Sequence, residues 1–157
     1  LAAAAAGAQV THVDASKGMV TWAKENAVSS GLGDAPIRRL VDDCVKFVER
    51  EIRRGNTYDA IIMDPPSYGR GPKGEFWKIE DMIHPLIKLC TKILSKDALF
   101  FLVNSYTTGL APAVLTYMIS TELKPWNGHV DSQEIGLPVT DSGLVLPCGA
   151  SGRWERD

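Results

Sequence analysis

Tyr58–Lys78, YDAIIMDPPSYGRGPKGEFWK, opens with a continuous apolar run, Ala60-Ile61-Ile62-Met63, of strand length and with two β-branched residues. Such a run fits a strand buried on both faces of a parallel sheet better than an alternating surface strand. It stops at Asp64-Pro65-Pro66. Neither proline can donate to a ladder, and each fixes its own φ, so the chain leaves the sheet stiff and extended. A carboxylate at the carboxyl end of a buried strand stands where open α/β sheets form their ligand crevice. Tyr68, three glycines and Trp77 follow in a polar stretch expected to form a mobile cover over that crevice. The same spacing also fits an ordinary strand-to-loop turn in which Asp64 caps local amides.

Working outward, strands and helices alternate. LAAAAAG is read as the last turns of a helix, Gln9 to Val13 as a strand ending in Asp14, and Lys17 to Ser30 as a helix with Met19, Val20, Ala23, Ala27 and Val28 inward. Ile37 to Val41 is the next strand. Asp42-Asp43 leads into a helix from Cys44 to Arg54 that buries Cys44, Val45, Phe47, Val48 and Ile52 and exposes its charges. Beyond the glycine stretch, Ile79 to Leu94 is amphipathic, with Ile83, Leu86, Ile87, Cys90, Ile93 and Leu94 on one side. Ala98 to Val103 is a second apolar strand ending in Asn104-Ser105. A helix from Ala111 to Leu123 and two weaker strands, His129 to Ile135 and Gly143 to Leu146, complete the chain. This alternation predicts an α/β fold, a doubly wound and mostly parallel sheet with helices on both faces, in one domain spanning residues 1–157.

Asp14, Asp42/Asp43 and Asp64 each close a successive expected strand. In a doubly wound sheet those ends share one rim, so the acids converge on one crevice suited to a nucleotide-like ligand. An acid after one strand can accept from ribose hydroxyls, and one after the next from an adenine amino group. Asp14 and Asp42 also suit plain N-caps of the helices that follow.

The 157 residues are 45% hydrophobic and 23% charged, ordinary for a soluble globular protein, and no apolar run approaches a membrane helix. A net charge of -2 gives no global basic field for nucleic acid. Cys44, Cys90 and Cys148 lack the spacing of a disulfide framework or a zinc site, so no metal is expected and a reducing cytoplasm fits best. The chain starts on Leu1 without a charged leader region and is read as a piece of a longer protein.

VTHVDAS, VDDC, YDAIIMDPPSYGRG and FFLVNSYT, in that order, resemble the class I S-adenosylmethionine-dependent methyltransferases. Within them the chain is similar to the branch holding large-subunit ribosomal RNA cytosine-C5 and guanine-N2 methyltransferases, whose motif is Asp-Pro-Pro-x-aromatic. The resemblance implies S-adenosyl-L-methionine as cofactor and RNA as substrate. It implies that Asp14 and Ala15 meet the cofactor ribose, that Asp43 and the Cys44 amide face the adenine with Asp42 the competing choice, and that Asp64 adjoins the sulfonium. It also implies that Asp64, Pro65 and Pro66 line the methyl-transfer site and that Tyr68 stacks on or walls off the target base.

Two departures matter. The first strand and glycine-rich turn of the family are missing ahead of Leu1, which predicts two exposed strand edges, low stability and weak cofactor binding. C5 methylation needs a cysteine thiolate, which the resemblance places after the Ala98–Val103 strand; this chain has Asn104-Ser105-Tyr106 there, so transfer to nitrogen is favoured. Asn104 and Ser105 are then candidates for orienting the acceptor. Cys90 and Cys148 are read as buried structural thiols, and His12 and His84 as structural or solvent-facing. Arg70 and Lys73 are candidate phosphate contacts more often simply solvated, and Trp77 is a hydrophobic latch for the loop. The rival readings are a nicotinamide-dependent dehydrogenase, whose ribose Asp14 would also suit, and a non-catalytic methyltransferase-like binding module.

Overall fold

The computed structural model describes residues 1–70, 76–107 and 109–157. It divides into two compact units, Leu1–Arg54 and Gly55–Asp157.

The first unit runs α1 (Ala2–Ala5), β1 (Val10–Asp14), α2 (Lys17–Ser29), β2 (Ile37–Val41) and α3 (Cys44–Arg54). β1 and β2 are parallel, with Asp14 opposite Val41, so both carboxyl ends lie on one rim. α2 begins where its capping residue dictates: Ser16 is extended and its Oγ accepts from Met19 N. Val20 and Ala27 are buried as its periodicity requires, but Met19 and Val28 are 48% and 60% exposed. The inward stripe of α2 is therefore narrower than expected. α3 buries Phe47 and Val48 while Cys44 is exposed. It also buries Glu51, contrary to the expected exposure of its charges, and Glu51 pairs with Arg54 one turn on at 2.9 Å. Arg53 and Arg54 in the last turn suit the negative end of the helix dipole.

The second unit runs β3 (Ala60–Met63), β4 (Tyr68–Arg70), β5 (Phe76–Lys78), α4 (Ile79–Thr91), β6 (Phe100–Ser105), α5 (Pro112–Glu122), β7 (His129–Pro138) and β8 (Val145–Glu155). Four strands form a mixed sheet in the order β3-β6-β8-β7, with β3 and β6 parallel and the β7–β8 hairpin antiparallel. The expected apolar face of α4 is buried at every named position, Ile83, Leu86, Ile87, Cys90, Ile93 and Leu94. α5 adds Leu115, Met118 and Ile119, and β6 and β8 add Phe101, Val103 and Trp154. β3 is not buried on both faces: among the described residues it pairs with β6 alone, and Ile62 is 58% exposed.

β8 departs most from the sequence reading, which ended that strand at Leu146. Pro147, Gly149 and Gly152 depress strand propensity, but tertiary packing requires both glycines. A Cβ on Gly152 would meet Ile119 and Leu115 of α5 at 2.7 and 2.9 Å. One on Gly149, whose φ is +150°, would lie 2.0 Å from the Ser105 carbonyl oxygen. Close passage of β8 along β6 is thus open to glycine only.

Candidate active site

In the first unit, the Asp42 backbone N–H donates to the Asp14 carbonyl at 3.0 Å and joins the two strand ends. The Cys44 thiol points back to the Val13 carbonyl at 3.8 Å. Asp14, Asp42, Asp43 and Cys44 therefore gather on one rim. Their carboxylates are not equivalent. Asp14 Oδ1 accepts from Ser16 N at 2.6 Å and shapes the turn into α2. Asp42 is tied at both oxygens, Oδ1 to Asp43 N at 2.9 Å and Oδ2 to the Arg50 guanidinium. Asp43 Oδ1 accepts from Lys46 N at 2.9 Å, which caps the first turn of α3, and the residue is exposed. The caps of α2 and α3 are therefore Ser16 and Asp43, not Asp14 and Asp42. Ala15 is exposed beside Asp14. His12 in β1 is half-buried, and its Nδ1 has no hydrogen-bond partner among the described residues.

In the second unit, Asp64 is exposed immediately beyond β3, followed by half-buried Pro65 and exposed Pro66. Two side-chain contacts hold this turn. The Trp77 indole Nε1–H donates to the Pro66 carbonyl at 2.6 Å. Ser67 Oγ bonds Thr107 Oγ1 at 2.6 Å, which joins the turn to the segment after β6. The stretch expected as a polar mobile loop contains instead an antiparallel hairpin, with Tyr68 opposite Lys78 and Arg70 opposite Phe76. Trp77 is a latch, as expected, but it acts through a hydrogen bond rather than through apolar burial. Arg70 is not simply solvated: its Cζ sits 4.9 Å from the centroid of the Phe76 ring. Lys73 lies outside the described residues.

Ser105 is a correction. It belongs to β6, is fully buried, and its Oγ accepts from Thr107 N at 3.2 Å, so it shapes the chain there rather than facing a ligand. Asn104 is half-buried and pairs with Ser151 across the ladder. His84 lies inside α4 and bonds Glu122 of α5 at 2.8 Å, a structural tie.

Cys148 is the other correction. The β7–β8 register slips between Ile135 opposite Gly149 and Gly136 opposite Pro147, which leaves Cys148 as the extra residue of a bulge. It is half-exposed and, with Tyr106, Thr107 and Glu134, lines a cleft of about 320 Å³. Sequence reasoning singled out neither Thr107, although it closes the FFLVNSYT stretch, nor Glu134, which lies in no motif. The Pro-Cys-Gly triplet was the available sign of the bulge. Among the described residues no group of three or more His, Cys, Asp and Glu is placed to hold a metal ion.

The crystal structure of the SAM-dependent methyltransferase from Agrobacterium tumefaciens matches with a TM-score of 0.90 at 42% identity, over 99% of this chain and 51% of that one. The chain carries the fold of the class I S-adenosylmethionine-dependent methyltransferases. SMU.776 complexed with SAH shares the fold at a TM-score of 0.74 and 20% identity, over 92% of this chain and 38% of that one. Among curated relatives, the ribosomal RNA large subunit methyltransferase K/L of Methylococcus capsulatus is 30% identical over 95 residues, 59% of this chain and 13% of that protein. The ribosomal RNA large subunit methyltransferase K of Neisseria meningitidis is 27% identical over 105 residues, 66% of this chain and 30% of that protein. The chain thus spans about half of the Agrobacterium methyltransferase chain and less than a third of these curated relatives. No family model matches it.

Proposed function

We propose that the chain is the methyl-transferring part of an S-adenosylmethionine-dependent RNA methyltransferase that modifies a nitrogen atom. The observation that carries this reading is the Asp64-Pro65-Pro66 turn, exposed at the end of β3 and fixed by Trp77 and by the Ser67–Thr107 bond. A methyl sulfonium is already a strong electrophile, so holding the acceptor in line and accepting from its N–H is most of the task. The exposed Asp64 carboxylate suits that acceptance. With the Pro66 carbonyl engaged by Trp77, we assign the second acceptor to the Pro65 carbonyl. Tyr68, exposed four residues after Asp64, is the aromatic side chain that would stack on an RNA base.

The donor set of the first unit fits the cofactor's nucleoside. Asp14 keeps Oδ2 for the ribose hydroxyls, next to Ala15, and Asp43 is the better choice for the adenine because both oxygens of Asp42 are engaged. The Cys44 amide would meet the ring. RNA as substrate follows the names of the curated relatives, and a cytoplasmic location goes with it. Among the described residues no helix is long and apolar enough to cross a membrane.

Calorimetric titration of S-adenosylhomocysteine into the protein and its Asp14→Ala variant tests the reading. Saturable binding weakened by roughly 1–3 kcal/mol in the variant is expected, the range for a hydrogen bond to a charged group. Absence of binding, with NAD bound in the same cell, would replace it by the dehydrogenase reading.

One observation favours a second reading. Cys148 in the cleft is a thiol that could add to a pyrimidine ring and permit methylation at C5. The Cys148→Ser variant separates the two: activity is retained under nitrogen transfer and lost under carbon transfer.

A further inference from the structure

We infer that the outer face of the β4–β5 hairpin is a stacking and phosphate-binding platform for single-stranded RNA. The inference rests on the RNA methyltransferase reading for its choice of polyanion and names the element that would grip it. The pairing register puts Tyr68, Arg70, Phe76 and Lys78 on one face of the ribbon, with Gly69 and Trp77 on the other. The second face is spent on the Pro66 turn through the Trp77 indole. The first is open to solvent: Tyr68 is 54% and Phe76 57% exposed, and Arg70 and Lys78 are exposed beside them.

This face combines what single-stranded nucleic acid requires. Two exposed aromatic rings stand 6.2 Å apart at 52°, Tyr68 with ring surface for an unpaired base and Phe76 with one face already covered by Arg70. The Arg70 guanidinium lies over the Phe76 ring, so a flat cation is already positioned beside the stacking surface. Lys78 adds a second cation, and among the described residues that the register puts on this face none is a carboxylate. An apolar protein partner would leave both cations to be desolvated without a counter-charge, whereas a phosphodiester chain neutralises them. The strand must be single, because in a duplex the base faces are covered by the neighbouring pairs of the stack. Tyr68 follows Asp64 by four residues, at most roughly 14 Å of extended chain, so an RNA held on this face runs close to the Asp64 turn.

The test is fluorescence anisotropy of labelled 12-mer oligo(A) and oligo(U) on the protein and on Phe76→Leu, Arg70→Gln and Lys78→Gln variants over a range of salt. S-adenosylhomocysteine calorimetry is run on the same samples. Phe76→Leu keeps an apolar strand residue and removes only the ring. The expected result is tighter binding of oligo(A) than of oligo(U) and a loss of about tenfold for oligo(A) in Phe76→Leu. The slope of log affinity against log salt should fall by about 0.7 for each cation removed. Cofactor binding should be unchanged in all three variants. Wild-type protein that binds S-adenosylhomocysteine but neither oligonucleotide overturns the platform and leaves the methyltransferase reading standing. Variants that bind oligo(A) with wild-type affinity and salt slope overturn it as well. Failure of cofactor binding alone, with hairpin-dependent RNA binding intact, overturns the methyltransferase reading instead.

Discussion

At Asp43 one carboxylate has two uses. It closes the first turn of α3 through Lys46 N, and in the function we propose it, rather than Asp42, accepts from the cofactor's adenine. The uses can be separated chemically. Serine caps a helix about as well as aspartate but cannot accept with a charged oxygen. Asp43→Ser is therefore expected to unfold in urea within about 0.5 kcal/mol of wild type. S-adenosylhomocysteine affinity in the same variant should fall roughly tenfold, as for loss of a charge-assisted bond. Asp43→Ala should lose about 1 kcal/mol of stability in addition. Gly149 marks the opposite case, a residue whose importance is purely steric. With its φ at +150° and the Ser105 carbonyl in the way, Gly149→Ala should cost roughly 2–4 kcal/mol from strain and overpacking together, read as a lower urea midpoint.

At the scale of elements, legibility followed how far each segment is governed by its own residues. β2 and α3 keep the bounds read from the sequence because the Asp42-Asp43 pair between them and a clear apolar stripe act locally, although the cap is Asp43 and not Asp42. α4 was legible in its buried face for the same reason. β8 was not, since its glycines report contacts with α5 and β6 that no local pattern contains. The β4–β5 pairing was hidden by the glycines and proline in that stretch of sequence, which read as loop, although Tyr68, Arg70, Phe76 and Lys78 alternate as strand residues do. The order of the acids at the strand ends was plain from sequence, but which oxygens local bonds had already taken was not. The bulge at Cys148 is the feature to probe here. Alkylation with iodoacetamide should label Cys148 well before buried Cys90, detected by peptide mass spectrometry. Labelling Cys90 first would contradict the cleft as described.

At the scale of the whole molecule, β1 pairs only with β2 and β3 only with β6 among the described residues. A strand paired on one side presents a row of unsatisfied amides and carbonyls, and β3 adds an exposed Ile62. Static light scattering should show self-association rising with concentration, and Ile62→Lys should reduce it by placing a charge on that strand. Equal scattering from both proteins would remove β3 as the contact. The Trp77–Pro66 bond has an optical consequence. Of the chain's four tryptophans, Trp22 is exposed on α2, Trp154 is buried in β8 and Trp126 bonds Ser95, so Trp77 is the indole bonded to the turn beside Asp64. Its emission shifts with the hydrogen bond to Pro66 and vanishes selectively in Trp77→Phe. The protein thus carries an intrinsic gauge of its own turn, legible by difference spectroscopy without any label.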